Sequence, residues 1–450
     1  MRFNARLIAL LVLGILIASL AITRGIRSGK KTPIKLAGPV GIYVVEAITD
    51  PNEFDPQEVG RLLGNPAVSG IALRLRWKDL EPSEGAHDLS IIEQTLTGAK
   101  QRNKKVSLII VPGFYTPRWL IDRLVDCDPY LAKPETFSGD CGKALFTVDY
   151  GQDRGGELPL PLPWNKDYLT KWKNFLKEIA NRYNSDPDVV SIAVAGPTSM
   201  SVEMSLPGDD PKDLDKWRRL LELFYPTGDP HRESNLVIIE KWQEMIDFYE
   251  QTFVGKSLVV TRGGGLLKFV KRDRDENSLD PQNPQEAKEI VIDYFIKANY
   301  SHNQKANQTS GLKSCRESEG GIEGVKETIS QGLIGGAQFN SSVVLSPATM
   351  GCTDKNYCSQ GGKDDLNQQC KSDPDFNSCC RLTPEQALKN ILRVYFDNTR
   401  FGPEYGGQPG ESVLNYLQIY ASDIEYAGKS PEFQTILNQV KKDLEVSRFK

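Results

Sequence analysis

The chain has 450 residues, 39% of them apolar and 25% charged, enough for a large packed core; this excludes a chain that is disordered by composition. Its 55 basic and 59 acidic residues leave a net charge of −4, which argues against the basic face that nucleic acid or an anionic membrane surface selects. The length suits one α/β barrel with insertions.

In chain order, Arg2 and Arg6 precede an apolar run from Leu7 to Ile22. That order of a basic segment and a short apolar run predicts a signal peptide or membrane anchor over residues 1–24. The run is short for a comfortable span of ~20 residues. Ser19-Leu20-Ala21 offers small residues for cleavage after Ala21. No Cys follows to carry a lipid. In both outcomes the remainder lies outside the cytoplasm, secreted or anchored by residues 7–22. Residues 25–36 are basic and contain Gly, Ser and Pro, as a tether would. Residues 37–450 are expected to form one barrel with a Cys-rich insertion at 345–382.

The repeat of strand then helix, the mark of a parallel α/β sheet, occurs eight times. Strands are predicted at Val40 to Val45, Gly70 to Arg76, Val106 to Val111, Val189 to Ala195 and Ser257 to Thr261. A weak sixth lies around Gly311 to Lys313, a seventh at Ile334 to Phe339 and an eighth at Val413 to Tyr420. Helices are predicted at Pro56 to Leu63, Leu89 to Gln101, Lys166 to Asn184, Leu214 to Tyr225 with Leu236 to Phe253, Glu286 to Ala298, Gly321 to Gln331, Pro384 to Asn398 and Glu432 to Val446. Eight parallel strands with crossover helices close most readily as a (β/α)8 TIM barrel with loop insertions. A doubly wound open sheet would want a Gly-rich phosphate turn after its first strand, and Glu46-Ala47-Ile48 is none. Gly263-Gly264-Gly265 reads as a plain turn, and Lys271 to Glu276 as a solvated charged loop.

Eight cysteines in an exported chain favour disulfides, with Cys127–Cys141 the simplest pairing. Zinc is the rival reading. Against it, no Cys-x-x-Cys occurs, and His87, His231 and His302 lie far in sequence from the cluster Cys352 to Cys380.

Reactive groups in such a barrel sit just past the C-terminal strand ends. These positions hold Glu46, Arg74, Arg76, Trp77, Tyr115, Trp119, Trp164, Glu203, Arg262, Glu319, Gln338, Asn340, Tyr420, Asp423 and Glu425. Indole and phenol rings offer flat faces to the C–H side of sugars. Arg76, Trp77, Tyr115, Trp119, Trp164, Asn340 and Tyr420 are therefore the expected substrate-binding set. Ordinary packing is the competing role for each ring.

The segment Gly70-Ile71-Ala72-Leu73-Arg74-Leu75-Arg76-Trp77-Lys78-Asp79-Leu80-Glu81-Pro82 with Gly85, followed by Gly113 to Leu120, Pro161 to Trp164 and Val189 to Glu203, resembles retaining barrel glycosidases. The likeness is to β-galactosidase-like and endo-glycanase members. It covers residues 40 to 205, and the rest by strand count. The resemblance implies a carbohydrate-active barrel with an acid/base Glu after strand four and a nucleophilic Glu after strand seven. Glu203 matches the first, although Val202 precedes it where the family carries Asn. Strand seven ends in Gln338-Phe339-Asn340, with no acid. Two-carboxylate hydrolysis needs a partner for Glu203 from Glu46, Glu319, Asp423 or Glu425, of which Asp423 is the expected one, or the site does not hydrolyse. The leading expectation is a secreted glycoside hydrolase acting on an oligosaccharide or polysaccharide. A catalytically silent glycan-binding barrel is the alternative, and a structural envelope protein the weaker one. No metal or organic cofactor and no nucleic acid partner is expected. A membrane enters only through an uncleaved N-terminal segment. Sugar, linkage and oligomeric state are not given by the sequence.

Overall fold

The computed structural model describes residues 38–131, 139–149, 153–208, 210–232, 234–267, 284–298, 304–315, 328–329, 331–359, 366–395 and 414–446. The N-terminal segment and tether, the Lys271 to Glu276 run, most of the helix expected over Gly321 to Gln331, and Glu319 lie outside them.

Eight parallel strands close a barrel: β1 Gly41–Ala47, β2 Val68–Arg76, β3 Lys105–Val111, β4 Val189–Ala193, β5 Ser257–Arg262, β6 Gln304–Leu312, β7 Ile334–Phe339 and β8 Tyr416–Tyr420. Closure is made by β1 against β8, with Gly41 beside Tyr416 and Val45 beside Tyr420. The expected barrel and its strand order are thus the fold. No helix among the described residues is long and apolar enough to cross a membrane.

Helices cover the barrel outside: α1 Pro56–Gly64, α2 Ser90–Gln101, α3 Lys166–Tyr183, α4 Pro211–Phe224, α5 Leu236–Thr252, α6 Pro284–Lys297, α7 Pro384–Tyr395 and α8 Pro431–Val446. Their starts are written locally. Asp55, Asn165 and Asp210 each accept a backbone N–H of the first turn, at 2.8, 2.9 and 2.8 Å. Along α3, Leu169, Trp172, Leu176 and Ile179 recur at helical spacing and are buried. Trp172 and Phe175 meet Trp77 at ring-centroid distances of 4.9 and 5.8 Å, an aromatic wedge between the end of β2 and α3.

Two features differ from expectation. The segment between β3 and α3 is not only loop: Val125–Asp126, Cys141–Thr147 and Glu157–Pro161 form a small three-stranded sheet. Phe146 of that sheet stacks on Trp217 of α4 at 4.3 Å. The sixth strand is longer than predicted and begins at Gln304. Its sequence hides it, because Asn307, Gln308 and Thr309 are buried yet polar. Two of them are partly satisfied there: Asn307 Nδ2 donates to Thr328 Oγ1 at 3.1 Å while its Oδ1 has no partner among the described residues, and Gln308 joins a network described below.

All eight cysteines are paired, as Cys127–Cys141, Cys315–Cys358, Cys352–Cys379 and Cys370–Cys380. The zinc reading therefore falls, since disulfide sulfur is not a thiolate ligand. The three later bridges enclose a satellite core with Ala348, Tyr357 and Leu366. Because Cys315 follows β6, that core ties the insertion after β7 to the neighbouring strand's loop. Thiol titration of the denatured, unreduced protein should find no free cysteine. Replacing both Cys127 and Cys141 by Ala opens a loop of sequence separation 14 and should cost about 3 kcal/mol in urea unfolding.

Candidate functional site

Side chains alternate along a strand, so residues two apart share the barrel interior. Val45, Arg74, Ser107, Ala193, Thr261, Gln308, Gln338 and Gln418, one from each strand, face a cavity of about 40 Å³. Ile109 and Val259 add apolar lining from β3 and β5, and Ser201, Val202 and Glu203 close it from above.

The segment that carries Glu203 leaves β4 and folds into the barrel mouth. Trp242 and Trp217 of α5 and α4 pin it at either end, donating their indole N–H to the carbonyls of Pro197 at 2.9 Å and Pro207 at 2.7 Å. Arg74 donates to the Met200 carbonyl at 2.7 Å, and the Phe114 amide to that of Ser199 at 2.7 Å. This last contact needs Gly113: with φ at 72°, a side chain there is strained, and its Cβ would meet the Ser199 oxygen at 2.1 Å. Thr198 Oγ1 donates to the Glu203 carbonyl at 2.8 Å, and Glu203 bridges Thr261 of β5. Its carboxyl lies against Gly263, where a Cβ would come within 2.6 Å of Glu203 Cδ. The glycine triplet is thus more than a turn. It leaves room for the acid.

Three glutamines from adjacent strands form the opposite wall. The Tyr416 hydroxyl donates to Gln308 Oε1 at 2.8 Å, and Gln308 Nε2 donates to Gln418 Oε1 at 3.2 Å and Gln338 Oε1 at 3.4 Å. Gln338 reaches the Tyr420 hydroxyl at 3.5 Å. Burial raises the Tyr420 phenol, and Asp423 and Glu203 add to that while Arg74 opposes it, so both residues that were expected to be catalytic act on this ring. Glu203 and Arg74 are the two charged side chains facing the cavity. Among the described residues neither forms an ion pair.

Other expected site residues lie elsewhere. Trp77 is fully buried in its aromatic wedge and donates to Glu81 Oε2 at 2.8 Å, so its expected place on a sugar platform is corrected. Glu81 also accepts from the Gly85 amide at 2.9 Å; the Glu-Pro-x-x-Gly motif is a loop strut. Trp119 is half-buried and donates to the Glu81 carbonyl at 3.0 Å. Trp164 packs edge-on to Trp217 and Phe224. Tyr115 sits at the β2–β3 rim between Arg76, 5.6 Å from its ring centre, and Lys78, 5.4 Å away. Arg76 is also held by Asp79 at 2.5 Å. Asn340 is exposed beyond β7, and the Tyr420 hydroxyl donates to its carbonyl at 3.4 Å.

Asp423 is buried, and desolvation raises its carboxyl. Its oxygens accept from Ser342 Oγ at 2.8 Å, the Val344 amide at 3.1 Å and the Tyr420 amide at 3.3 Å. These bonds tie the loop after β7 to the end of β8, a strut that leaves Asp423 poorly placed as the second carboxylate. Arg262 faces outward, paired to Glu289 of α6 at 2.6 Å. Sequence reading passed over Gln308 and Gln418. The alternation Tyr416, Gln418, Tyr420 is the signal that could have found the latter.

Glu46 follows the inward-facing Val45 and so turns to the helix side. Burial, then the like charges of Glu58 and Glu425, push its carboxyl from 4.5 up to about 7. Such a shift is about 3 kcal/mol, and about 2 kcal/mol with solvent screening. The folded chain holds the proton more tightly than the unfolded one. The stabilisation is therefore full below the ordinary carboxylate range and lost as pH rises through about 7. Glu46→Gln should raise stability by about 2 kcal/mol at pH 8 and change it little at pH 4, read by urea unfolding at both.

No protein-family model matches the chain, and no curated protein matches it. Solved structures do. The catalytic domain of β-amylase from Paenibacillus polymyxa aligns over 90% of this chain and 100% of its own, at 10% identity and a TM-score of 0.41. Endo-glycoceramidase II from Rhodococcus sp. aligns over 67% and 72%, at 13% identity and a TM-score of 0.32. A GH5_18 protein from Streptomyces cattleya, in complex with Manb1-4GlcNAc, aligns over 65% and 56%, at 12% identity and a TM-score of 0.33. These scores are low, and what the site can do rests on its own residues.

Proposed function

We propose that this is an exported, carbohydrate-active barrel that takes an oligosaccharide or polysaccharide at its mouth, with Glu203 as its acid group. One observation carries the reading. The strand-four loop is pinned so that the Glu203 carboxyl reaches the barrel mouth, among amide and hydroxyl side chains suited to sugar hydroxyls. Tyr420, Tyr115, Trp119 and Trp164 are the half-buried rings of the expected set, with Arg76 and Lys78 flanking Tyr115 and Arg123 flanking Trp119. Export is supported by the four disulfides, which persist in oxidising compartments.

In hydrolysis, Glu203 would give its proton to the leaving oxygen as general acid. A two-carboxylate mechanism also needs a second carboxyl roughly 5–9.5 Å away. Among the described residues the cavity offers no acid besides Glu203. A second reading, glycan recognition without hydrolysis, is favoured by a specific residue: Gln338, an amide, occupies the inner end of β7. An amide cannot serve as an ionised nucleophile.

Binding and turnover measured on a broad panel of neutral and acidic glycans separate these readings. For a hydrolase, Glu203→Gln should lower turnover by at least about 100-fold and leave binding within about threefold, since the amide keeps the shape and loses the transferable proton. Wild-type protein that binds glycan and cleaves none supports recognition alone. Protein that neither binds nor cleaves any glycan sinks the proposal.

A further inference from the structure

Among the described residues, Arg74 has one hydrogen-bond partner, the Met200 carbonyl, which takes a single N–H of one guanidinium nitrogen. The group is half-buried at the cavity wall and has no carboxylate within ion-pair distance among the described residues. A cation drawn partly out of water is costly unless an anion comes to it. The rest of its planar fork matches the two oxygens of a carboxylate or sulfate.

The cavity agrees in size. At about 40 Å³ it is too small for a sugar ring and large enough for one compact substituent. Cationic side chains stand on the β2 side of the mouth, with Asp79 and Asp153 near them. Two residues along β2, Arg76 lies one step nearer the rim, and Lys78 follows it, with Tyr115 between them. Asp79 offsets Arg76, while Lys78 is held below its usual range by partial burial and then by Arg76. Glu203 shares the cavity.

We infer that the mouth is built for a sugar bearing an anionic substituent, a carboxylate or a sulfate, whose charge pairs with Arg74 while the ring stays at the rim. This rests on the carbohydrate reading above and narrows it to acidic glycans. Arg74 is then a specificity-determining residue.

The test is affinity by titration calorimetry at low salt. The probes are oligogalacturonate and oligomannuronate, each beside its carboxyl-reduced neutral form, and a sulfated galactan beside its desulfated form. Wild-type protein should prefer an anionic member over its neutral twin by at least about tenfold. That ratio should fall toward one in Arg74→Gln and partly survive in Arg74→Lys. Which pair shows the preference tells carboxylate from sulfate. Loss of the Met200 contact alone would weaken both twins alike and leave the ratio unchanged, so a ratio that persists in Arg74→Gln overturns the assignment. Equal affinity of wild type for both twins overturns the inference and leaves the carbohydrate reading standing. Failure to bind any member overturns the inference, and the carbohydrate reading then stands or falls on the broad glycan panel.

Discussion

The inside of the barrel along β6, β7 and β8 is held by a chain of hydrogen bonds rather than by aliphatic packing. Tyr416 donates to Gln308, and Gln308 donates to Gln338 and Gln418. A buried amide is tolerated only when its groups are satisfied, so these strands are fixed to the register that lets three glutamines meet. Large and small residues complement each other below. Tyr43 and Tyr416 meet edge to face at 6.3 Å, and Gly70 and Gly336 leave the space that the two rings fill.

That polar wall determines what the mouth offers. An aliphatic interior would give Glu203 and Arg74 nothing but each other. Here the two charges share the cavity with three amides and three hydroxyls that can meet sugar hydroxyls or a small anion, set among aliphatic side chains such as Val45 and Val259. Their placement depends on the strand-four loop, which is nearly all buried from Thr198 to Leu206. Two indoles, one guanidinium and one backbone amide hold it, each by a single hydrogen bond worth about 1 kcal/mol net. Buried Met200, Val202 and Met204 add apolar anchorage.

Several carboxylates around the barrel mouth are spent on architecture. Glu81 joins an indole and a turn, Asp423 joins two loops, and Glu289 of α6 neutralises Arg262. Each removes an acid from the inventory available for chemistry. Glu203 remains, carried by a loop whose backbone, and not its carboxyl, makes the structural bonds. This division is what makes a lone acid the centre of the site.

The sequence by itself determined the barrel, the order of its strands, most helix starts and the Cys127–Cys141 pairing. Those depend on apolar periodicity, capping residues and short chain separation, all local properties. It also determined Glu203 as the acid past strand four. Only the tertiary structure decided which way each side chain faces and what it meets. Trp77 and Trp119 are alike in a sequence, yet one is sealed behind α3 and the other is only half-buried, with Arg123 over its ring at 5.5 Å. Gln308 and Gln418, 110 positions apart, become partners only when the barrel closes. Gly263 reads as a turn until the Glu203 carboxyl is laid against it. Strand six stayed faint because the residues it buries, Asn307, Gln308 and Thr309, are polar, so no apolar run marks it. Burial and pairing are properties of distance in space, and distance in space is what closing the barrel creates.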